Sequence, residues 1–249
     1  MHRFYLPPEN CRASVLRLDG REAHHGLHVL RLQPGENVTV LDGAGHRYLG
    51  EVQAADKASL TLAVKETTFT PPPACPLTLL VAIPKGKLIE DIIQKAVELG
   101  AHRIVPLLAE RVITHLDADG AASKREKWQQ VAVEAIKQCG AAWLPRVETP
   151  VTIPHYLARK EAFDLPLVGS LQTERRHPRA WLQNFQTEHG RLPQSAAIWI
   201  GPEGDFTPGE LSAIEAAGAR PITLGPLTLR VETATVYCLS FLNYELAAT

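Results

Sequence analysis

Apolar and polar residues change rhythm once along this chain, near residue 70. Before that point four short runs, Ser14–Leu18, Asn37–Leu41, Arg47–Gln53 and Ser59–Val64, alternate apolar and polar positions and are separated by Gly, Asp and Asn. A period of two broken by turn residues predicts the strands of a small barrel or open β domain. One helical stretch, Arg21–Leu32, interrupts them and ends at Pro34 and Gly35. Residues 71–76 hold four prolines in six positions, which neither a helix nor a central strand sustains. They predict a linker between a first domain, 1–70, and a second, 77–249.

Past the linker, strands and helices alternate. Leu77–Ile83 is a continuous apolar run, as a buried parallel strand requires. Leu88–Leu99 carries apolar residues at a helical period and stops before Gly100. His102–Leu107 predicts a strand. Ser123–Cys139 predicts a long helix with Ser123 as its N-cap and Glu126 closing a capping box. Leu165–Val168, Ala196–Ile200 and Pro221–Leu224 predict strands. Thr207–Ala217 predicts a helix with Thr207 as cap, Pro208 in the first turn and Glu210 completing the box. Val231–Leu246 predicts a closing amphipathic helix. The alternation implies an α/β domain built on a mainly parallel sheet.

The 249 residues are 45% apolar and 21% charged, enough for one large or two modest domains with a real core. Net charge is −1. No global field attracts nucleic acid, so an RNA-binding surface has to be local. Cys11, Cys75, Cys139 and Cys238 are far apart and form no CxxC pair, which speaks against a zinc site or disulfide framework and for reduced thiols. The first residues carry no apolar signal core, and no run approaches bilayer length. A cytoplasmic protein with no membrane partner is expected.

Two loops stand out. Ile200 to Phe206 reads IGPEGDF, and Leu224 to Ala234 reads LGPLTLRVETA. Each follows a short apolar run and precedes a helical pattern, the arrangement that presents backbone N–H and C=O groups at the carboxyl edge of a sheet. About twenty residues apart, they suggest one bipartite pocket. Gly201 and Gly204 let a ligand approach the main chain, while Glu203 suits either loop amides or a helix cap. Arg230 can reach a phosphate or substrate oxygen, or pair with Glu232 on a solvated face. On one helix, His24, His28 and Arg31 would share a face and grip a phosphate backbone, or be simply solvated. His24 and His28 lack a third ligand in sequence, so no metal is expected. Arg175 to Arg179 forms a second basic cluster, read as a solvated loop that can face RNA. The chain has no GxGxxG after its first α/β strand, no GxxxxGK[ST], no GxSxG and no HExxH.

GPEGDF and LGPLTLRVETA, with RFYLP from Arg3 and HVLRLQPGE from His28, resemble the bacterial 16S rRNA uridine-N3 methyltransferase family, ribosomal RNA small subunit methyltransferase E, of the SPOUT superfamily. Pro84 to Lys87, Ile93 to Gly100, Glu110–Arg111, Glu134–Ala135 and Gln138 to Gly140 extend the resemblance over nearly the whole chain in order. It implies a PUA-like β-barrel followed by a trefoil-knotted α/β methyltransferase domain. It implies S-adenosylmethionine held by Ser170 and Leu171, by Ile200, Gly201, Pro202, Glu203 and Gly204, and by Leu224, Gly225, Leu227, Thr228 and Leu229.

The resemblance also implies a homodimer acting on 16S rRNA within the small ribosomal subunit, at a uridine near the 3′ end in the decoding region. Arg230 matches the arginine of the family's L-R-x-E-T motif and is the candidate for stabilising an anionic uracil. Arg3 matches an N-terminal arginine expected to contact RNA or the site across the dimer. Arg3, His24, His28 and Arg31 are the candidate RNA contacts. Asp205 stands where the family often has glycine, and Leu227 and Ala141 where it often has arginine. Another rRNA or tRNA target, or a noncatalytic ribosome-assembly factor with the same fold, are the alternatives.

Overall fold

In the computed structural model, which describes residues 1–11, 13–111, 117–171 and 175–246, contacts divide the chain into two units. The first comprises Met1–Pro72 with Val133–Leu144, and the second Pro73–Ala132 with Pro145–Thr249.

The first unit is a five-stranded sheet of order β1-β3-β4-β5-β2, with β1 Arg3–Tyr5, β2 Val15–Leu18, β3 Asn37–Leu41, β4 His46–Ala55 and β5 Leu60–Phe69. All pairings are antiparallel except β1 with β3. Phe4 of β1 and Leu16 and Leu18 of β2, from opposite ends of the strand order, share one buried cluster with Val38, Val40, Leu60 and Leu62. The sheet therefore curls around its own core.

Helix α1, Gly20–His24, passes into a π turn over His25–Val29. The expected helix to Leu32 is not formed: Arg31 has φ +55°, outside any right-handed helix. Gly26 explains the wide turn. A Cβ there would clash with Leu60 Cδ1, so the main chain is pressed against the core at a residue without a side chain.

The second unit holds a parallel sheet of order β12-β10-β11-β6-β7-β8, with β9 also paired to β7. The strands are β6 Leu77–Ala82, β7 Ala101–Leu108, β8 Arg146–Val147, β9 Val151–Thr152, β10 Leu165–Gly169, β11 Ala196–Ile200 and β12 Arg220–Ile222. Every residue of β6 and β11 is buried, as central parallel strands covered on both faces must be. Helices α2 Leu88–Glu98, α3 Ala118–Cys139, α4 Ile153–Leu157, α5 Pro178–His189, α6 Pro208–Ala216 and α7 Val231–Leu246 complete it, residues 133–144 clustering with the first unit.

Helix α2 buries Ile89, Ile92, Ile93, Ala96 and Val97 and stops before Gly100, whose φ of +78° only glycine adopts freely. Helix α6 has the expected box: Thr207 Oγ1 accepts from Glu210 N–H, and Glu210 accepts from Thr207 N–H.

Helix α3 begins five residues before its expected cap. Asp117 Oδ1 accepts the Gly120 N–H at 2.8 Å, so Asp117 takes the capping role and Ser123 lies inside the helix. Helices α4 and α5 and strands β1, β8 and β9 were not foreseen. Pro178 and Arg179, read as loop, open α5, where the His177 ring accepts the Arg179 N–H at 3.3 Å. Among the described residues, no helix is long and apolar enough to cross a membrane.

Candidate functional site

The strand order decides where the site forms. Strand β11 lies between β6 and β10, and β12 lies outside β10, so the loops leaving β10, β11 and β12 open on one carboxyl edge. They close to van der Waals distance there. A Cβ at Gly169, the last residue of β10, would lie 3.6 Å from Ile200 Cδ1 and 3.8 Å from Leu224 Cδ1.

These loops line one cleft of about 70 Å³. Ser170 and Leu171 come from the first loop, Ile200, Gly201, Pro202 and Glu203 from the second, and Leu224, Gly225, Leu227, Thr228 and Leu229 from the third. Gly204, also expected at the site, is not among the lining residues; its main chain is held from behind, where Arg111 Nη1 donates to the Gly204 carbonyl.

Hydrogen bonds between distant segments set the loop shapes. Asp205 Oδ2 accepts the Leu171 N–H at 3.0 Å, tying the second loop to the first, and Oδ1 accepts the Phe206 N–H at 2.8 Å. Asp205 has φ +60°, which explains why glycine suits this position and why Asp, tolerant of the left-handed region, can replace it. Gly201 fits the same turn because a Cβ there would lie 3.1 Å from both Asp205 Oδ1 and Phe206 N. Glu203 Oε1 accepts the Lys85 N–H at 3.1 Å, joining the loop after β6 to the loop after β11. Arg175 lines the cleft and donates to the Ser170 carbonyl at 3.0 Å. Thr223 Oγ1 accepts from Gly225 N–H at 3.3 Å, and Gly225 takes φ +107°.

Arg230 is exposed at the start of α7, and its carbonyl accepts the Ala234 N–H at 2.8 Å. Its guanidinium has no ion-pair partner among the described residues, and the Arg230–Glu232 pair is not formed. The other candidates lie in the first unit. Arg3 Nη1 donates to the carbonyls of Lys137 and Gln138 at 3.1 and 2.8 Å, and Arg47 Nη2 to that of Gly140 at 2.6 Å. Two guanidiniums thus cap the carboxyl end of α3, where the helix dipole favours cations. His24 and His28 are exposed with ring centroids 4.8 Å apart, while Arg31 lies off the helix and does not share their face through helical spacing. Among the described residues, no group of three His, Cys, Asp or Glu is placed to hold a metal ion.

Sequence reasoning missed Asp205 as a tie, Arg111 as a support and Arg175 as a wall. The partner of Asp205, Leu171, lies 34 residues away in sequence, whereas Arg175 bonds Ser170 only five residues back and carries no periodic signal.

Residues 71–243 match the model of an RNA methyltransferase domain, and residues 18–65 that of an RNA methyltransferase PUA domain. Ribosomal RNA small subunit methyltransferase E of Synechocystis sp. is 32% identical over 97% of this chain and 77% of its own length. The protein of the same name from Bacillus subtilis is 31% identical over 94% of this chain and 91% of its own. The crystal structure of ribosomal RNA small subunit methyltransferase E from Neisseria gonorrhoeae, bound to S-adenosyl methionine, is similar with a TM-score of 0.84 and 26% identity, covering 98% of both chains.

Proposed function

This chain belongs to the ribosomal RNA small subunit methyltransferase E family, and from that premise we propose that it methylates N3 of one uridine in the decoding region near the 3′ end of 16S rRNA, using S-adenosylmethionine. The observation that carries this reading is the convergence of the loops after β10, β11 and β12 on a single cleft.

The residues present suit the cofactor. Leu171, Ile200, Leu224, Leu227 and Leu229 offer apolar surface to an adenine, and the glycine turns leave main-chain groups within reach of its edge. A nucleoside-sized ligand needs roughly 300 Å³ or more, so the loops part as it enters. Leu227 at the lip is 73% exposed, so its outward movement breaks little packing. When bound, S-adenosylmethionine supplies an electrophilic methyl group on a sulfonium.

The chain's own residues orient the base and manage its charge. Uracil N3 is a poor nucleophile until its proton leaves, and the resulting negative charge spreads to the flanking carbonyl oxygens. Arg230, beside the third loop and without an ion-pair partner among the described residues, supplies the compensating cation, and the rigid loop ties supply positioning. Arg3, His24, His28 and Arg31 are the proposed RNA contacts of the first unit, with Arg3 also holding the end of α3. A homodimer is supported by the tyrosines on α7, Tyr237 and the 83% exposed Tyr244. A trefoil knot in the second unit is proposed from the family to which the chain belongs. The assembled small subunit in the cytoplasm is the proposed setting.

Calorimetry with S-adenosylmethionine should give one site per chain. The 16S rRNA of a deletion strain should lack one N3-methyluridine that returns on complementation. Absence of binding heat, or retention of the modified base in the deletion strain, rejects the proposal.

A further inference from the structure

A second cavity of the second unit lies away from the cleft. It measures about 600 Å³ and sits at the amino ends of β10 and β12, against Leu165, Pro166 and Arg220, on the opposite edge of the sheet. This volume is in the range of small-molecule sites. Its wall is aromatic: Tyr156, Phe163, Trp181, Phe185 and Trp199 all line it, with Phe185 stacked on His189 at 4.1 Å and Tyr156 and Trp199 packed edge to face, so Trp181 and Phe163 are the more accessible rings.

Its charges are unequally satisfied. Glu161 accepts from Arg103 and from the Tyr156 hydroxyl, the latter at 3.1 Å. Asp164 Oδ2 accepts from Arg191 Nη1 at 2.6 Å and the Gln194 N–H at 2.8 Å. Glu161 and Asp164 are thus each matched by an arginine that does not line the cavity, Arg103 and Arg191. Lys160 and Arg220 are exposed at its margin and have no ion-pair partner among the described residues. Lys160 holds φ +52°, a conformation usually left to glycine. The Arg176 and Arg220 guanidiniums stand 5.1 and 5.4 Å from the centroid of the Trp181 ring, cations beside an aromatic face. Asn184 and Glu188, one turn apart on α5, add an amide and a carboxylate that can pair with the edge of a base.

We propose that this cavity is a second ligand site, taking a mononucleotide unit with its base on the aromatic wall and its phosphate at Lys160 and Arg220. Stacking on aromatic rings with a neighbouring cation for the phosphate is the general chemistry of nucleotide capture. The ligand is either a free nucleotide or one residue of an RNA strand. The inference does not depend on what the cleft binds.

The test is a titration of the full chain with AMP and with adenosine, followed by tryptophan fluorescence, in saturating S-adenosylmethionine so that the cleft is occupied. AMP is expected to quench, and to bind about tenfold more tightly than adenosine. Lys160→Gln and Arg220→Gln should each weaken AMP by about tenfold and leave adenosine unchanged. Trp181→Phe should remove most of the quench while equilibrium dialysis still detects AMP. Displacement of AMP by a 16S rRNA fragment assigns the site to RNA, and failure to displace assigns it to free nucleotide. No AMP binding by dialysis, or binding indifferent to both cation substitutions, overturns the proposal. Failure of S-adenosylmethionine to bind at all would count against the cleft and leave the AMP arms intact.

Discussion

Asp205 reaches across the carboxyl edge of the sheet to accept the main-chain N–H of Leu171 at 3.0 Å. The two residues leave different strands, β11 and β10, and their bond fixes the gap in which the cofactor is proposed to lie. Asp205→Ala removes this tie and the bond to Phe206 N–H, and leaves a non-glycine residue at φ +60°. The expected result is a rise of about tenfold in the dissociation constant for S-adenosylmethionine, measured by calorimetry, from about 1.4 kcal/mol of lost loop order. Asp205→Gly relieves the backbone but not the tie, so it should recover thermal stability without recovering affinity.

Arg103 on β7 anchors a polar network at the other end of the sheet. It bonds Glu148 Oε1 at 3.4 Å and both oxygens of Glu161, while Arg159 holds Glu148 Oε2 at 2.6 Å. Glu148 is almost fully buried. Arg103→Ala should therefore cost about 3 kcal/mol in urea unfolding, the low end for a broken buried pair because Arg159 remains. The hydrogen bond from Arg103 holds the Glu161 carboxyl below its ordinary value of 4.5. A depressed carboxylate contributes stability that is complete above its ordinary value and disappears as pH falls through the folded value. The wild type should accordingly lose stability more steeply below pH 4.5 than Arg103→Ala does.

The four thiols should differ sharply. Burial pushes Cys11 and Cys75 up to about 11 and Cys238 up to about 12, whereas Cys139 is exposed. Since the thiolate is the reactive form, a maleimide at neutral pH should modify one thiol per folded chain and four in denaturant, counted by mass spectrometry. Rapid labelling of Cys238 in the folded protein would contradict the packing beneath α7.

Leu227 occupies the lip of the cleft, and its side chain is largely solvated. Leu227→Arg should add one phosphate contact. The slope of log binding constant against log salt for a 16S rRNA fragment should steepen by about 0.7 to 0.9. Affinity for S-adenosylmethionine should fall by about threefold, because the arginine takes away the apolar surface that Leu227 offers the adenine.

The elements legible in the sequence are those set by local signals. Strand β11 and helix α7 fall at their expected bounds, and Thr207, Pro208 and Glu210 start α6 as their spacing requires. The cleft loops were legible because Gly and Pro punctuate them after apolar strands. Less was legible where two local solutions compete. Ser123 and Glu126 satisfy a capping pattern, yet Asp117 captures the Gly120 N–H and extends the helix backward. Arg31 continues a helical spacing, but the fit of Gly26 against Leu60 widens the turn and takes Arg31 off the helix. The ties that shape the cleft span far more chain than any periodicity: Glu203 to Lys85, Asp205 to Leu171, Arg111 to Gly204. Only the folded sheet brings those pairs together.

Arg230 supplies the sharpest test of the mechanism. It is exposed at the amino end of α7, pairs with no carboxylate among the described residues, and follows the third loop of the cleft directly. A cation so placed does little for folding, so Arg230→Ala should unfold within about 0.5 kcal/mol of wild type. It should bind S-adenosylmethionine normally and transfer methyl groups about 100- to 1000-fold more slowly, the range for removal of one group that meets developing charge. Arg230→Lys keeps the charge without the planar fork and should fall between. The pH profile separates charge stabilisation from simple positioning. If the arginine favours the deprotonated uracil, raising pH deprotonates N3 without its help, and the gap between Arg230→Ala and wild type should narrow steadily on the alkaline side. A gap that stays constant across the profile would assign Arg230 to RNA positioning instead, and the charge-stabilising role would have to belong to another group.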